Sequence, residues 1–233
     1  VTCRVKICGT TSVDDALLAE RYGADYVGVV LDVPYSERSV SVAEARSMVA
    51  ALTTPAVILT YNRAPKWVAD AVCETGASAA QLLGDESPDD VTELRRRLAE
   101  AGSEPVEVWK SLFLPPFGDS VPTPDVAGIL ARMRRFADAG AVKLLLDTTA
   151  VVDGRHRFGG TGKTSDWTVA RELVQASPLP TFLSGGISPE NVAEAVTRVR
   201  PYGIDLCSGV ESTRGRRDEG RTAALFANLR ALV

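Results

Sequence analysis

The sequence predicts a single (β/α)8 TIM barrel. The chain has 233 residues, which suits one α/β barrel of about 250 residues. Short β-rich runs alternate with Ala-rich amphipathic stretches along the whole length, and the pair recurs eight times without a compositional break, so 1–233 reads as one domain. Strict alternation favours a parallel sheet with crossover helices, and eight units favour closure, although an open doubly wound sheet would carry the same pattern.

The first unit pairs a strand at 3–8 (CRVKIC) with a helix at 12–22, which Ser12 caps ahead of Asp14 and Asp15. A serine oxygen at that point can accept from an unpaired first-turn N–H. Strands at 25–31 (DYVGVVL) and 55–60 (PAVILT) lead into helices at 42–52 and 65–75. The fourth strand, 78–83 (SAAQLL), precedes a helix at 87–101 that opens Ser87-Pro88-Asp89, a cap followed by proline at the first helical position. A fifth strand at 105–112 runs into the loop Leu114-Pro115-Pro116-Phe117-Gly118, and a helix at 123–139 follows. The last three units are strands at 142–147, 180–184 and 203–207 with helices at 166–176, 189–199 and 218–231, the seventh capped by Ser188 in Ser188-Pro189-Glu190.

Side chains alternate along a strand, and the outer face of a barrel packs on helices. Val5 and Ile7 therefore face out, with Arg4, Lys6 and Cys8 inward. In the sixth strand Val142, Leu144 and Leu146 face out, with Lys143, Leu145 and Asp147 inward; in the eighth, Ile204 and Leu206 face out, with Asp205 and Cys207 inward. Cys8 and Asp147 are then the last inward residues of their strands, at the C-terminal mouth where active sites of this architecture lie. Lys6, Lys143 and Asp205 form an expected interior ion-pair set.

Composition narrows the function. Hydrophobic residues make up 45%, charged residues 24%, and the net charge is −4. No basic stripe marks a nucleic-acid partner. No apolar run reaches about 18 residues, so no membrane span is expected. The start, Val1–Val5, runs directly into a strand, and no secretory leader is expected. Cys3, Cys8, Cys73 and Cys207 have no CxxC spacing and read as free thiols of a reducing cytoplasm, Cys3 and Cys73 as core filler. One histidine, His156, rules out a multi-histidine zinc site. The arginines of 132–135 and 214–217 read as solvated faces.

Three glycine-rich segments follow the last three strands: 159–164 (GGTGKT), 184–188 (SGGIS) and 207–211 (CSGVE). Glycine admits close backbone approach, and successive N–H groups form an anion nest. Late βα loops are a common phosphate site in barrels. Residues 157–164 (RFGGTGKT) lack the first glycine of a P-loop, so the Gly-Lys-Thr ending does not make an ATPase.

The segments VKICG (5–9), GGTGKTSDW (159–167), LSGGISPENVAEAV (183–196) and GIDLCSGVE (203–211) together resemble the phosphoribosylanthranilate isomerase family, in the family's order and over nearly the whole chain. The resemblance implies Amadori isomerisation of N-(5′-phosphoribosyl)anthranilate in tryptophan biosynthesis, without a cofactor. It implies Cys8 as general base and Asp147 as general acid. It implies a substrate site made of Lys6, Arg38 (within Ser36-Glu37-Arg38), Gln81, Gly160, Gly162, Gly185, Gly186, Ser208 and Gly209. One acid and one base on opposite sides of the mouth suffice for this reaction, each contributing about 10²–10⁴-fold. Lys6 is expected to lower the Cys8 thiol, and burial or a nearby anion to keep Asp147 partly protonated.

The chain departs from the family pattern at the amine side. The family's Gln-Leu-His-Gly reads Gln81-Leu82-Leu83-Gly84 here, Ser165 replaces an aromatic, and Asp32 and Tyr35 lie in an atypical segment. An isomerase of a different phosphoribosyl amine, or a non-catalytic phosphate-ligand binder, is the alternative. A Schiff-base aldolase on Lys6, Lys110 or Lys143 is a further class. The expected partner is a small phosphosugar, acted on by a monomer or homodimer.

Overall fold

The structure is a computed structural model that describes residues 3–33, 35–102, 105–118, 124–152, 155–158 and 164–232; of 149–152 and 155–158 it describes the backbone. Strand β1 (Arg4–Ile7) leads to α1 (Val13–Tyr22), β2 (Tyr26–Leu31) and the two-residue β3 (Ser39–Val40), then α2 (Val42–Ala51). Next come β4 (Ala56–Thr60), α3 (Pro65–Thr75), β5 (Ala79–Leu82), α4 (Pro88–Glu100), β6 (Glu107–Leu114) and α5 (Val126–Asp138). The last third holds β7 (Lys143–Val152), β8 (Arg155–Phe158), α6 (Trp167–Ala176), β9 (Thr181–Leu183), α7 (Val192–Val199) and β10 (Gly203–Leu206). It ends in a short 3₁₀ turn (Ser208–Val210), the hairpin β11 (Glu211–Thr213) and β12 (Arg216–Arg217), and α8 (Glu219–Arg230).

Parallel pairing runs β1–β2–β4–β5–β6–β7–β9–β10 and returns to β1, which closes an eight-stranded barrel. Closure decides against the open sheet. The additions lie at the mouth: β3 extends β2 in parallel, and β7 runs on past 147 to pair antiparallel with β8. Position 156 therefore belongs to a hairpin.

Two expected caps are in place. Ser12 accepts from the Asp15 N–H at 3.2 Å, and Ser87 with Asp90 closes a capping box on α4. The third is not. Helix α7 begins at Val192 behind Asn191, while the Ser188 N–H donates to Asn191 Oδ1 at 2.9 Å and Asn191 Nδ2 donates to the Gly186 carbonyl at 2.9 Å. Ser188-Pro189-Glu190 thus serves the glycine loop rather than the helix.

Burial separates into the two shells that alternation requires. Val5, Ile7, Leu144, Leu146, Ile204 and Leu206 join the outer core under the helices. Cys8, Leu145, Trp109 and Phe182 belong to the inner cluster. Val142 departs from its expected parity: it precedes β7 and packs half-buried against the inner cluster from below. Trp109 and Phe182 stack at 5.4 Å, and Tyr26 meets them edge-on at 4.9 and 5.9 Å. Such pairs add about 0.5–1.5 kcal/mol each beyond area burial. They plug the N-terminal end of the barrel, so the cleft at the mouth is blind.

Three placements differ from expectation. Arg4 is half exposed at the barrel's N-terminal rim, paired with Asp25 at 2.6 Å. Lys143 pairs with Glu107 and lies 5.0 Å from the Trp109 ring, not with Lys6 and Asp205, because it sits at the opposite end of the barrel. Cys73 is exposed on α3 rather than core filler, while Cys3 is half-buried against the outer core. Trp167 opens α6 and packs on the core.

Candidate active site

The C-terminal strand ends surround an open cleft lined by Cys8, Asp147, Arg38, Gln81, Asp205 and Cys207, with Val30, Val33, Leu59 and Leu83 forming an apolar wall. Cys8 and Asp147 are both buried at its floor. Their positions follow from strand parity, since each is the first inward residue beyond the densely packed interior layer.

Asp147 accepts the Thr148 N–H at 2.7 Å. Burial nonetheless raises its carboxyl to about 6, the Thr148 bond opposing and Asp205 adding to the rise. A carboxyl held there keeps a proton much further up the pH scale than an exposed aspartate does.

Lys6 is fully buried and binds Asp205 at 2.9 Å. Burial disfavours its charge, but Asp205 and the Cys8 thiol outweigh that and hold the ammonium protonated. A side chain on Gly28 of β2 would run into both Cys8 Sγ at 2.8 Å and Lys6 Nζ at 3.0 Å, so glycine is what lets thiol and ammonium share that space. Lys6 therefore lies beneath the cleft rather than in its wall. The thiol itself is raised, not lowered: burial pushes Cys8 up, and Lys6 recovers only part of that. The sequence expectation failed here because it counted the cation and not the desolvation. Ser184 Oγ donates to Asp205 Oδ2 at 3.4 Å, which extends the polar floor toward Asp147.

Arg38 lies in the cleft wall and forks onto Glu211, Nε to Oε1 at 2.8 Å and Nη2 to Oε2 at 2.7 Å. Glu211 also accepts the Gly215 N–H at 3.1 Å. Two of the five guanidinium N–H groups are thereby used. Gln81 Nε2 donates to Ser111 Oγ at 2.9 Å, and its buried Oε1 has no partner. Gly185 takes φ +89°, and a side chain there would collide with Thr148. A side chain on Gly209 would meet the Ile187 carbonyl, so the loops after β9 and β10 abut. Gly186 and Ser208 sit in those same loops. Gly160 and Gly162 lie outside the described residues, as does the His156 side chain.

The family model described as N-(5'phosphoribosyl)anthranilate (PRA) isomerase matches residues 5–228. This chain belongs to that family. It is 36% identical to the N-(5'-phosphoribosyl)anthranilate isomerase of Methanocella arvoryzae over 92% of each chain. It is 37% identical to that of Methanopyrus kandleri over 92% of this chain and 93% of the relative. The crystal structure of the Thermus thermophilus phosphoribosyl anthranilate isomerase superposes with a TM-score of 0.77 at 33% identity, covering 99% of this chain and 100% of that one.

The isomerase family's pattern breaks where the wall is apolar. Leu83 is half-buried against the inner cluster and lines the cleft. Tyr35 is 61% exposed and meets the Tyr61 ring edge-on at 5.4 Å. Asp32 takes φ +45°, and its carbonyl accepts from Arg63 Nη2 at 2.6 Å. Ser165 is buried and bridges Pro116, tying the loop after β6 to the segment ahead of α6.

The candidate lysines of a Schiff-base enzyme are not exposed to the cleft. Lys110 points out of the barrel to Glu86 at 2.9 Å and lies over the Phe136 ring, and Lys143 is at the far end. The sequence reading missed Arg217 altogether. The run 214–217 is not uniformly solvated: Arg214 and Arg216 are exposed, but Arg217 is buried against the Cys8 and Cys207 carbonyls and Thr10 Oγ1. Alternation in a two-residue strand decides this, and no local pattern announces it. The arginines of 132–135 are exposed as expected.

Proposed function

We propose that this chain isomerises N-(5′-phosphoribosyl)anthranilate to 1-(2-carboxyphenylamino)-1-deoxyribulose 5-phosphate, with Asp147 as general acid and Cys8 as general base. The observation that carries the reading is a carboxyl raised by burial to about 6, so that it keeps part of its proton near neutrality, and a buried thiol that open into one blind cleft from opposite strands. Asp147 gives its proton to the furanose oxygen as the C1′–O bond breaks and the nitrogen lone pair forms C1′=N. The Cys8 thiolate then takes the C2′ proton to give the enolamine. Loss of the C2′ hydroxyl proton and protonation at C1′ complete the ketone. Substrate and product are isomers, so the proton count balances and no redox cofactor enters.

The apolar wall of Val30, Val33, Leu59 and Leu83, with Tyr35 and Tyr61 at the rim, suits an aromatic amine. Arg38 retains N–H donors for the amine's carboxylate. The loops carrying Gly185, Gly186, Ser208 and Gly209, with Gly160 and Gly162, suit the phosphate. Among the described residues no helix is long and apolar enough to cross a membrane. The reading places the protein in the cytoplasm as a monomer or homodimer.

The test is fluorescence decay of N-(5′-phosphoribosyl)anthranilate generated in place. Wild type should consume it, and Cys8→Ser should lose about 10²–10⁴-fold. A folded wild type without turnover would sink the anthranilate assignment and direct the search to other phosphoribosyl amines.

The pH profile is a second test. The reactive form pairs a thiolate with a protonated carboxyl, although the thiol is the weaker acid of the two. That form grows with pH until Asp147 ionises near 6, stays level until Cys8 titrates, then falls. The expected kcat/KM therefore has an acid limb near 6 and a broad plateau above it. An acid limb in the ordinary aspartate range, about 4, would contradict the assignment of Asp147.

A further inference from the structure

Arg217 is buried, with 8% of its surface exposed, on the short strand β12 behind the barrel mouth. Its Nη2 donates to the Cys8 carbonyl and to Thr10 Oγ1, the latter at 3.2 Å, and its Nη1 donates to the Cys207 carbonyl at 3.3 Å. Its own backbone N–H is tied to Asp15 Oδ1 at 3.2 Å. The guanidinium thus grips the ends of β1 and β10, where the inward residues Cys8 and Cys207 are neighbours in the pairing register that runs Arg4 with Gly203 through Ile7 with Leu206.

The charges around it are otherwise matched. Lys6 is paired with Asp205 and Arg38 with Glu211. Among the described residues Arg217 forms no ion pair; its partners are carbonyls and a hydroxyl, and its Nε has none. An uncompensated buried cation is costly unless something balances it. The groups that face it are Cys8, Cys207, Asp205 and Glu211, and the last two are already committed to Lys6 and Arg38.

We infer that Arg217 is a positioning residue for the base: it holds Cys8 by its backbone carbonyl and supplies the fixed positive charge that is balanced when the Cys8 thiolate forms. The inference rests on Cys8 being the base. It explains how a thiol pushed up by burial can still reach its reactive form, since a dipole or charge fixed in place costs no reorganisation at the moment of proton transfer. Lys6 favours the thiolate more strongly, by charge and by hydrogen bond, but its charge is shared with Asp205, which opposes the thiolate; Arg217 adds a second, unshared cation.

The test measures the thiol separately from turnover. Iodoacetamide alkylation of Cys8, followed by peptide mass mapping across pH, gives its titration in wild type, Arg217→Lys and Arg217→Met. Arg217→Met should shift the Cys8 titration upward by about one pH unit or more, and lower kcat about tenfold to a hundredfold with KM within about threefold. Arg217→Lys keeps a charge but cannot fork onto both carbonyls, so kcat should fall about threefold to tenfold with a smaller titration shift. A folded Arg217→Met protein with unchanged Cys8 titration and unchanged kcat overturns the proposal. If that variant does not fold, unchanged kcat in Arg217→Lys overturns it. If wild type turns over no phosphoribosyl anthranilate, the alkylation profile still decides whether Arg217 governs the thiol.

Discussion

Replacing Asp147 with asparagine is expected to cost about 10²–10⁴-fold in kcat while making the protein more stable at neutral pH. The amide cannot give a proton to the ring oxygen, which accounts for the lost rate. The stability gain follows from the raised carboxyl. Its value is about 6 in the folded chain against an ordinary 3.8. A group whose folded value is raised contributes stability below its unfolded value and loses that contribution as pH rises through the folded one. At pH 8 the ionised carboxylate therefore costs the folded chain about 3 kcal/mol, and at pH 5 about half of that. Asparagine never ionises, so its advantage should grow across this window. Urea unfolding of both proteins at pH 5 and pH 8 measures the difference. A gap that does not widen with pH would mean that Asp147 is not held protonated by its surroundings, and the acid role would lose its physical basis.

The second large effect lies beneath the cleft. Lys6→Met should destabilise the fold by about 3–5 kcal/mol, because it strands the Asp205 carboxylate in the barrel interior without its counter-charge. Lys6 has no exposed side-chain surface and Asp205 has 7%, so water cannot replace the lost partner. The double variant Lys6→Met, Asp205→Leu should recover much of that loss, since two apolar groups need no partners. A double variant as unstable as the single one would show that Lys6 acts through packing rather than through the pair. Either variant should also depress turnover, because both groups border Cys8 or the acid's hydrogen-bonded floor.

What the sequence makes legible ends where contacts reach beyond a few residues along the chain. Alternation on strands is local, so the inward placement of Lys6, Cys8, Asp147, Asp205 and Cys207 was readable from a few residues of each strand. The caps on α1 and α4 were readable for the same reason. Ser188 misled because the same residue types that cap a helix also build turns, and the demand of the glycine loop for a tight fold prevailed. The Cys8 environment misled because a nearby lysine is visible in sequence, whereas burial and the lysine's prior engagement with Asp205 are not.

The chain's sequence by itself determined the eight repeated βα units, the inward residues at the mouth ends of the first, sixth and eighth strands, and the resemblance to the family; closure of the sheet came from the structure. The first three rest on periodicity or on contiguous motifs. Only the tertiary structure decided that Arg217 is buried while Arg214 and Arg216 are exposed, that Arg38 is forked onto Glu211, and that Lys143 lies at the opposite end from Lys6. These contacts join residues far apart in the chain, across strand ends and loops. Their partners are chosen by barrel closure and by the low dielectric of the interior, which no local pattern encodes.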